Sequence, residues 1–170
     1  MADARFADGD EGPLLLIARG PGDVPVLSAL VQDAVLPPGE MRYAPKQRRF
    51  AALLNRFRWE DREAAEREGR PYERVRSLLT VEDVLAVRSA GIDHPDDSDA
   101  VLSILSLDWQ PAAQAPAEDV DPALAGPGRL VLILAGGGAI ALELEALEIR
   151  LEDVTRPYLA PSRKRPDHEG

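Results

Sequence analysis

The segment LVLILAGGGAIALELEAL, residues 130–147, constrains the fold more than any other part of the chain. An apolar run ends in three consecutive glycines, and the residues beyond them alternate. Ile140, Leu142 and Leu144 alternate with Ala141, Glu143 and Glu145. That period of two belongs to a strand with one buried face, whereas a helix would repeat every 3.6 residues. The glycines match neither a G-x-G-x-x-G fingerprint nor a P-loop, which ends in Lys and Ser or Thr. Two strands joined by residues that reach positive φ without a Cβ clash read as a β-hairpin. No helix begins here, so no helix N-terminus is on offer to hold a phosphate.

The same reading extends along the chain. PLLLIA at 13–18 has the length and composition of a short buried strand. Residues 23–35 form the one long helical pattern, with Val24, Leu27, Val31 and Ala34 at helical spacing and Asp23 placed as N-cap. PPG at 37–39 ends it. MRYA and RRFAALLNRFRWE read as strands paired across PKQ, with Phe57 and Trp59 alternating with Arg56 and Arg58. The charged stretch 60–71 reads as a long hairpin tip, with a solvated helical turn as the alternative, since Arg62 and Glu66 lie four apart. YERVRSLLTV places Val75, Ser77, Leu79 and Val81 on one face. VLAVRSAGI and VLSILSLDW follow as strands, the latter with Val101, Ser103, Leu105, Leu107 and Trp109 on one side. Residues 110–128, rich in Pro and Ala, form a loop within the domain. Residues 146–154 end a strand through a bulge or start a short helical turn.

The expected fold is therefore α+β: a mostly antiparallel curved sheet or partial barrel of about seven or eight strands, with one main amphipathic helix at 23–35. Residues 1–12 are expected to be a flexible lead, 13–155 a single globular domain and 156–170 an irregular tail.

Chemistry is sparse by comparison. The 170 residues include no cysteine and two histidines, which removes disulfides, thiolate metal sites and a cysteine nucleophile. The opening MADARFADGDEG has no basic stretch leading into an apolar one, so a cytoplasmic location without a membrane anchor is expected. The net charge of −10 speaks against nucleic acid as a partner. Charge is uneven, however. Residues 40–76 hold eleven Arg and Lys against seven Asp and Glu, while the remainder holds nine against 23.

Arg56, Arg58, Arg74, Arg76 and Arg88 are the candidate ligand-binding residues. If their strands pair, the guanidinium groups could share one sheet face, and arginine grips carboxylate or phosphate bidentately. The competing reading is a solvated face whose charges pair across strands. Asp93, His94, Asp96 and Asp97 are the weak metal candidates. Their spacing lacks the calcium-loop pattern, and an acidic turn between strands is the preferred reading. No catalytic residue and no cofactor is expected.

The ordered set LVQDAVL, YAPKQRRFAALLNRFRWE, YERVRSLLTVEDVLAVRSAGID, VLSILSLDW and LVLILAGGGAIALELEALEIRLEDV resembles an alphaproteobacterial domain-of-unknown-function family, number 2948. The resemblance covers residues 13–155. The tail RPYLAPSRKRPDH departs from the family pattern by lacking a Trp. The resemblance implies a bacterial cytoplasmic protein and supplies no functional residues. The leading expectation is a non-enzymatic binding or accessory protein with a protein partner or with a second copy of itself. The alternative is a small-molecule binder or enzyme that recognises an anionic metabolite through the arginine-rich face.

Overall fold

The computed structural model describes residues 12–92, 101–112 and 126–159. Eleven strands appear among them. In chain order they are β1 (Leu15–Ala18), β2 (Val35–Leu36), β3 (Met41–Ala44), β4 (Arg49–Phe57), β5 (Glu73–Val81), β6 (Val84–Ala90), β7 (Leu102–Pro111), β8 (Gly128–Leu134), β9 (Ala139–Leu144), β10 (Ile149–Asp153) and β11 (Tyr158–Leu159). Two short helices, α1 (Val24–Val31) and α2 (Arg62–Arg67), complete the set. The strands form one sheet in the order β1-β10-β5-β4-β2-β7-β8-β9-β6, with β3 added to β4 and β11 to β5. Every pairing is antiparallel. The sheet does not close, so β1 and β6 are its two edges. This is the α+β architecture that the alternating segments predict.

The glycine segment is a hairpin. Val131 sits opposite Ala141 and Leu132 opposite Ile140. Gly136 and Gly137 take φ of 87° and 92°, and the Leu134 amide donates to the Gly138 carbonyl at 2.9 Å. Ile140, Leu142 and Leu144 are all buried, as the period of two requires.

The sheet folds over itself, and one core lies between its halves. Leu54 and Leu79 enter it from β4 and β5, Leu132 and Leu142 from β8 and β9, and Leu27 and Val31 from α1. Helix α1 packs mainly on β7. The two-residue strand β2 bridges the halves by pairing with both β4 and β7.

Three local expectations are corrected. The helical pattern at 23–35 yields a helix only to Val31, because Asp33 adopts a left-handed φ of 62° and its amide bonds the Ile104 carbonyl. Val35 then joins β2. Asp23 turns its carboxylate back to the amides of Gly20 and Arg19, capping the preceding 3-10 turn instead of α1. In β7 a bulge between Ile104 and Ser106 breaks strict alternation. Ile104 and Leu107 are both buried while Leu105 is exposed, and the Leu107 amide donates to Ser28 Oγ on α1.

The charged stretch that begins at Glu60 adopts the helical alternative. A 3-10 turn, Trp59–Asp61, leads into α2, with Arg62 and Glu66 paired at 3.1 Å. Residues 149–153 are strand β10, paired on both sides. The stretch expected as an irregular tail begins with β11 on the edge of β5.

Candidate functional site

Paired residues in an antiparallel ladder share a face, and successive residues alternate. Strand β4 puts Arg56 opposite Val75, whereas Asn55 lies opposite Arg76 and Phe57 opposite Arg74. The candidate arginines therefore do not share one face. Arg56 points into the molecule, Arg74 and Arg76 point out, and Arg88 lies on β6 in the other half of the sheet. The expectation of a single five-arginine surface fails because the register sets Arg56 opposite Val75, so Arg56 shares a face with the odd positions of β5 while Arg74 and Arg76 occupy even ones.

The inward set is consumed by carboxylates. Arg56 is fully buried. Its two terminal nitrogens donate to Glu60 at 2.8 and 2.7 Å, and Nη2 also donates to Asp153 Oδ1 at 2.9 Å. Nε donates to Ser77 Oγ at 2.9 Å, and that hydroxyl donates onward to Asp153 Oδ1 at 2.6 Å. Asp153 Oδ2 accepts the Leu14 amide at 2.9 Å. Burial alone would lower the Arg56 pKa, but Glu60 and Asp153 outweigh it and hold it above the ordinary arginine value. The cluster ties β4, β5, β10, the 3-10 turn and the lead into β1. Every strong donor of the guanidinium is satisfied, so it has nothing left for a ligand.

Beside this cluster lies an open cleft of about 830 Å³ lined by Arg58, Asp61, Arg70, Glu73, Asp153 and Arg156, among others. Arg58 pairs with Glu73 at 2.9 Å. Arg70 holds Asp61 through two bonds, at 2.6 and 2.9 Å, and Glu68 at 2.6 Å. The hydrogen bond from Arg70 keeps the Asp61 carboxyl below the usual carboxylate range, against the opposing pull of desolvation. The Arg70 pKa is raised by the same contact. These charges neutralise one another and bind α2 to the base of β5.

The outward face of β3, β4, β5, β10 and β1 is built differently. Its cross-strand rows are read from the register. Arg42, Ala51, Thr80, Arg150 and Ile17 form one row; Leu53, Leu78, Glu152 and Leu15 form the next. Beyond them lie Asn55 with Arg76, then Phe57, Arg74 and Tyr158. Small residues at the centre, Ala51 and Thr80, leave a shallow trough of about 490 Å³, walled by the pairs Arg49–Glu82 and Arg19–Glu148. Arg42, Arg74, Arg76 and Arg150 have no carboxylate partner among the described residues. The Arg74 guanidinium lies 4.1 Å from the Phe57 ring centroid, and its Nε is buried without an acceptor. Neither helix covers this face: α1 lies on the core side, and α2 extends the β4–β5 connection.

Sequence reasoning found Arg74 and Arg76 but missed Arg42, Arg150, Glu60 and Asp153. Glu60 lies only four residues after Arg56, but no short-range signal announces the other three. Arg150 and Asp153 join β5 only through the β10 register, about 70 residues away in sequence. The metal candidates Asp93, His94, Asp96 and Asp97 lie outside the described residues. Among the described residues no helix is long and apolar enough to cross a membrane.

Fold and site define an antiparallel α+β domain with an open, arginine-bearing sheet face. The chain belongs to a protein family of unknown function, DUF2948, which matches residues 14–168. The match runs through the tail, beyond the residues that carried the sequence resemblance. No curated protein and no solved structure matches the chain.

Proposed function

We propose that the protein is a non-enzymatic binding protein that takes an acidic polypeptide segment on the outward face of β3, β4, β5, β10 and β1. The observation that carries this reading is the set of unpaired guanidinium groups, Arg42, Arg74, Arg76 and Arg150, on one face of a chain whose net charge is −10. A cationic patch on an acidic molecule orients an anionic partner and repels most other surfaces. Half-buried Leu53, Leu78 and Ile17 lie between the arginines and offer apolar contact. The trough is shallow and several strands wide, which suits an extended segment better than a small metabolite.

Fluorescence anisotropy with a labelled glutamate-rich peptide tests the proposal, with a lysine-rich peptide as control. The acidic peptide should bind with an affinity that falls as salt rises. Arg76→Glu combined with Arg150→Glu should abolish binding without lowering the melting temperature. Binding that ignores the double reversal, or no binding at low salt, overturns the proposal.

One observation favours a second reading. The Arg74 guanidinium, without a carboxylate partner among the described residues and beside Asn55 and Tyr158, fits a small anionic metabolite. Thermal-shift screening with phosphorylated and carboxylated metabolites separates the two. Stabilisation by such a compound, abolished by Arg74→Ala, would replace the peptide reading.

A further inference from the structure

The half of the sheet built from β7, β8, β9 and β6 also turns a face outward, and its pattern is of another kind. One row crosses all four strands: Asp108, Val131, Ala141 and Arg88. On one side of it Ile133 stands opposite Ala139, and on the other Arg129 stands opposite Glu143. Strand β8 thus presents large apolar side chains where β9 presents alanines. The ends of the row carry opposite charges. Asp108 accepts a hydrogen bond from Gln110 at 3.1 Å, and neither Asp108 nor Arg88 has an ion-pair partner among the described residues. Ile133 is 36% exposed, and Leu105, at the β7 bulge, is 47% exposed.

We propose that this face packs on the same face of a second copy, about a two-fold axis running along the strands between β8 and β9. That operation lays β8 over the partner's β9 and β7 over the partner's β6. Val131 and Ile133 then fill the space above the partner's Ala141 and Ala139. Asp108 meets the partner's Arg88, twice by symmetry. Arg129, already bonded to Glu143 at 2.7 Å, lies over the partner's Glu143 and forms a four-charge array. One axis satisfies size and charge together, and that coincidence is what singles out a second copy as the occupant. Facing sheets cross at about 30°. At roughly 7 Å from the axis, one and a half strand spacings, the resulting offset stays within the reach of an arginine side chain. The face is only four strands wide, small beside obligate interfaces, so the dimer forms in a concentration-dependent equilibrium.

Sedimentation velocity on the full chain, across a concentration series, is the test. The wild type should show a monomer–dimer equilibrium. Arg88→Asp sets aspartate against aspartate, and Asp108→Arg sets arginine against arginine; each should raise the dimer Kd on the order of 100-fold. An equimolar mixture of the two variants should dimerise again, because the heterodimer restores both opposite-charge contacts. A wild type that stays monomeric throughout overturns the proposal. So do single variants that self-associate like the wild type, or a mixture that remains monomeric while both variants keep the wild-type melting temperature.

Discussion

Strands β4 and β5 carry arginines on both faces, and the two sets have opposite fates. On the inner face Arg56 is fully buried and bound to Glu60, Asp153 and Ser77. On the outer face, Arg74 and Arg76 of β5 have no carboxylate partner among the described residues. The residue type is the same and the register offset is one position, since Arg56 stands opposite Val75, between Arg74 and Arg76. What differs is whether a carboxylate reaches the guanidinium: Glu60 from the 3-10 turn and Asp153 from β10 reach Arg56, and among the described residues none reaches Arg74 or Arg76. The count of arginines therefore says little about binding, and the register says a great deal. The inner Arg56 is a structural tie, as is the paired Arg49 at the rim of the outer face, while Arg74 and Arg76 are free for a partner.

The sharpest way to break this contrast is Arg56→Ala. It leaves the Glu60 and Asp153 carboxylates buried without their cation, a loss that typically costs about 3–5 kcal/mol. Urea denaturation should register most of that as a lower midpoint. A loss below about 1 kcal/mol would mean that solvent reaches the cluster, and that the inner set is no tie.

The contrast also marks what the sequence discloses. Alternation in AIALEL and in VRSLLTV exposes the strands and their buried faces, because a period of two is a local property. The glycine hairpin is legible for the same reason, since its turn and both strands lie within a short segment. Long-range register is not local. Nothing near Asp153 indicates that it will stand opposite Ser77 and reach Arg56. The early stop of α1 was hidden too. Ala34 and Val35 continue the apolar pattern well enough, but the β2 pairing to β4 and β7 takes Val35 away from the helix. The charged stretch after Trp59 reads locally as a hairpin tip, with a solvated helical turn as the alternative. It folds as α2 because Arg70 and Arg58 gather Asp61 and Glu73 beneath it.

A smaller effect sharpens the inner side by pH. Asp61 has its pKa lowered in the folded state, chiefly by the Arg70 hydrogen bond. A depressed carboxyl stabilises the fold above its unfolded value, near 4, and loses that contribution as pH falls through the folded value. Asp61→Asn should therefore be destabilised relative to the wild type at neutral pH, with the gap closing in acid. Melting temperatures of both proteins between pH 7 and pH 3 provide the check. A gap that stays constant across that range would assign the loss to packing instead of charge.

The smallest stability effect belongs to the outer face, where it is also the most informative. Arg76 is exposed on β5 and its side chain has no ion pair among the described residues. Its backbone amide is held by Thr155 Oγ1 at 3.0 Å, a bond that does not depend on the side chain. Arg76→Ala should change stability by no more than about 0.5 kcal/mol, as for an ordinary surface substitution. The same variant should weaken acidic-peptide binding severalfold, because one of the four unpaired guanidinium groups is gone. Stability from urea unfolding and affinity from anisotropy, measured on one preparation, would separate the two quantities. If Arg76→Ala cost as much stability as Arg56→Ala, the two faces would be equivalent and the open face would lose its claim as a binding surface. If stability and affinity both stayed unchanged, the weight of binding would shift to Arg42 and Arg150, on the row that runs through the trough.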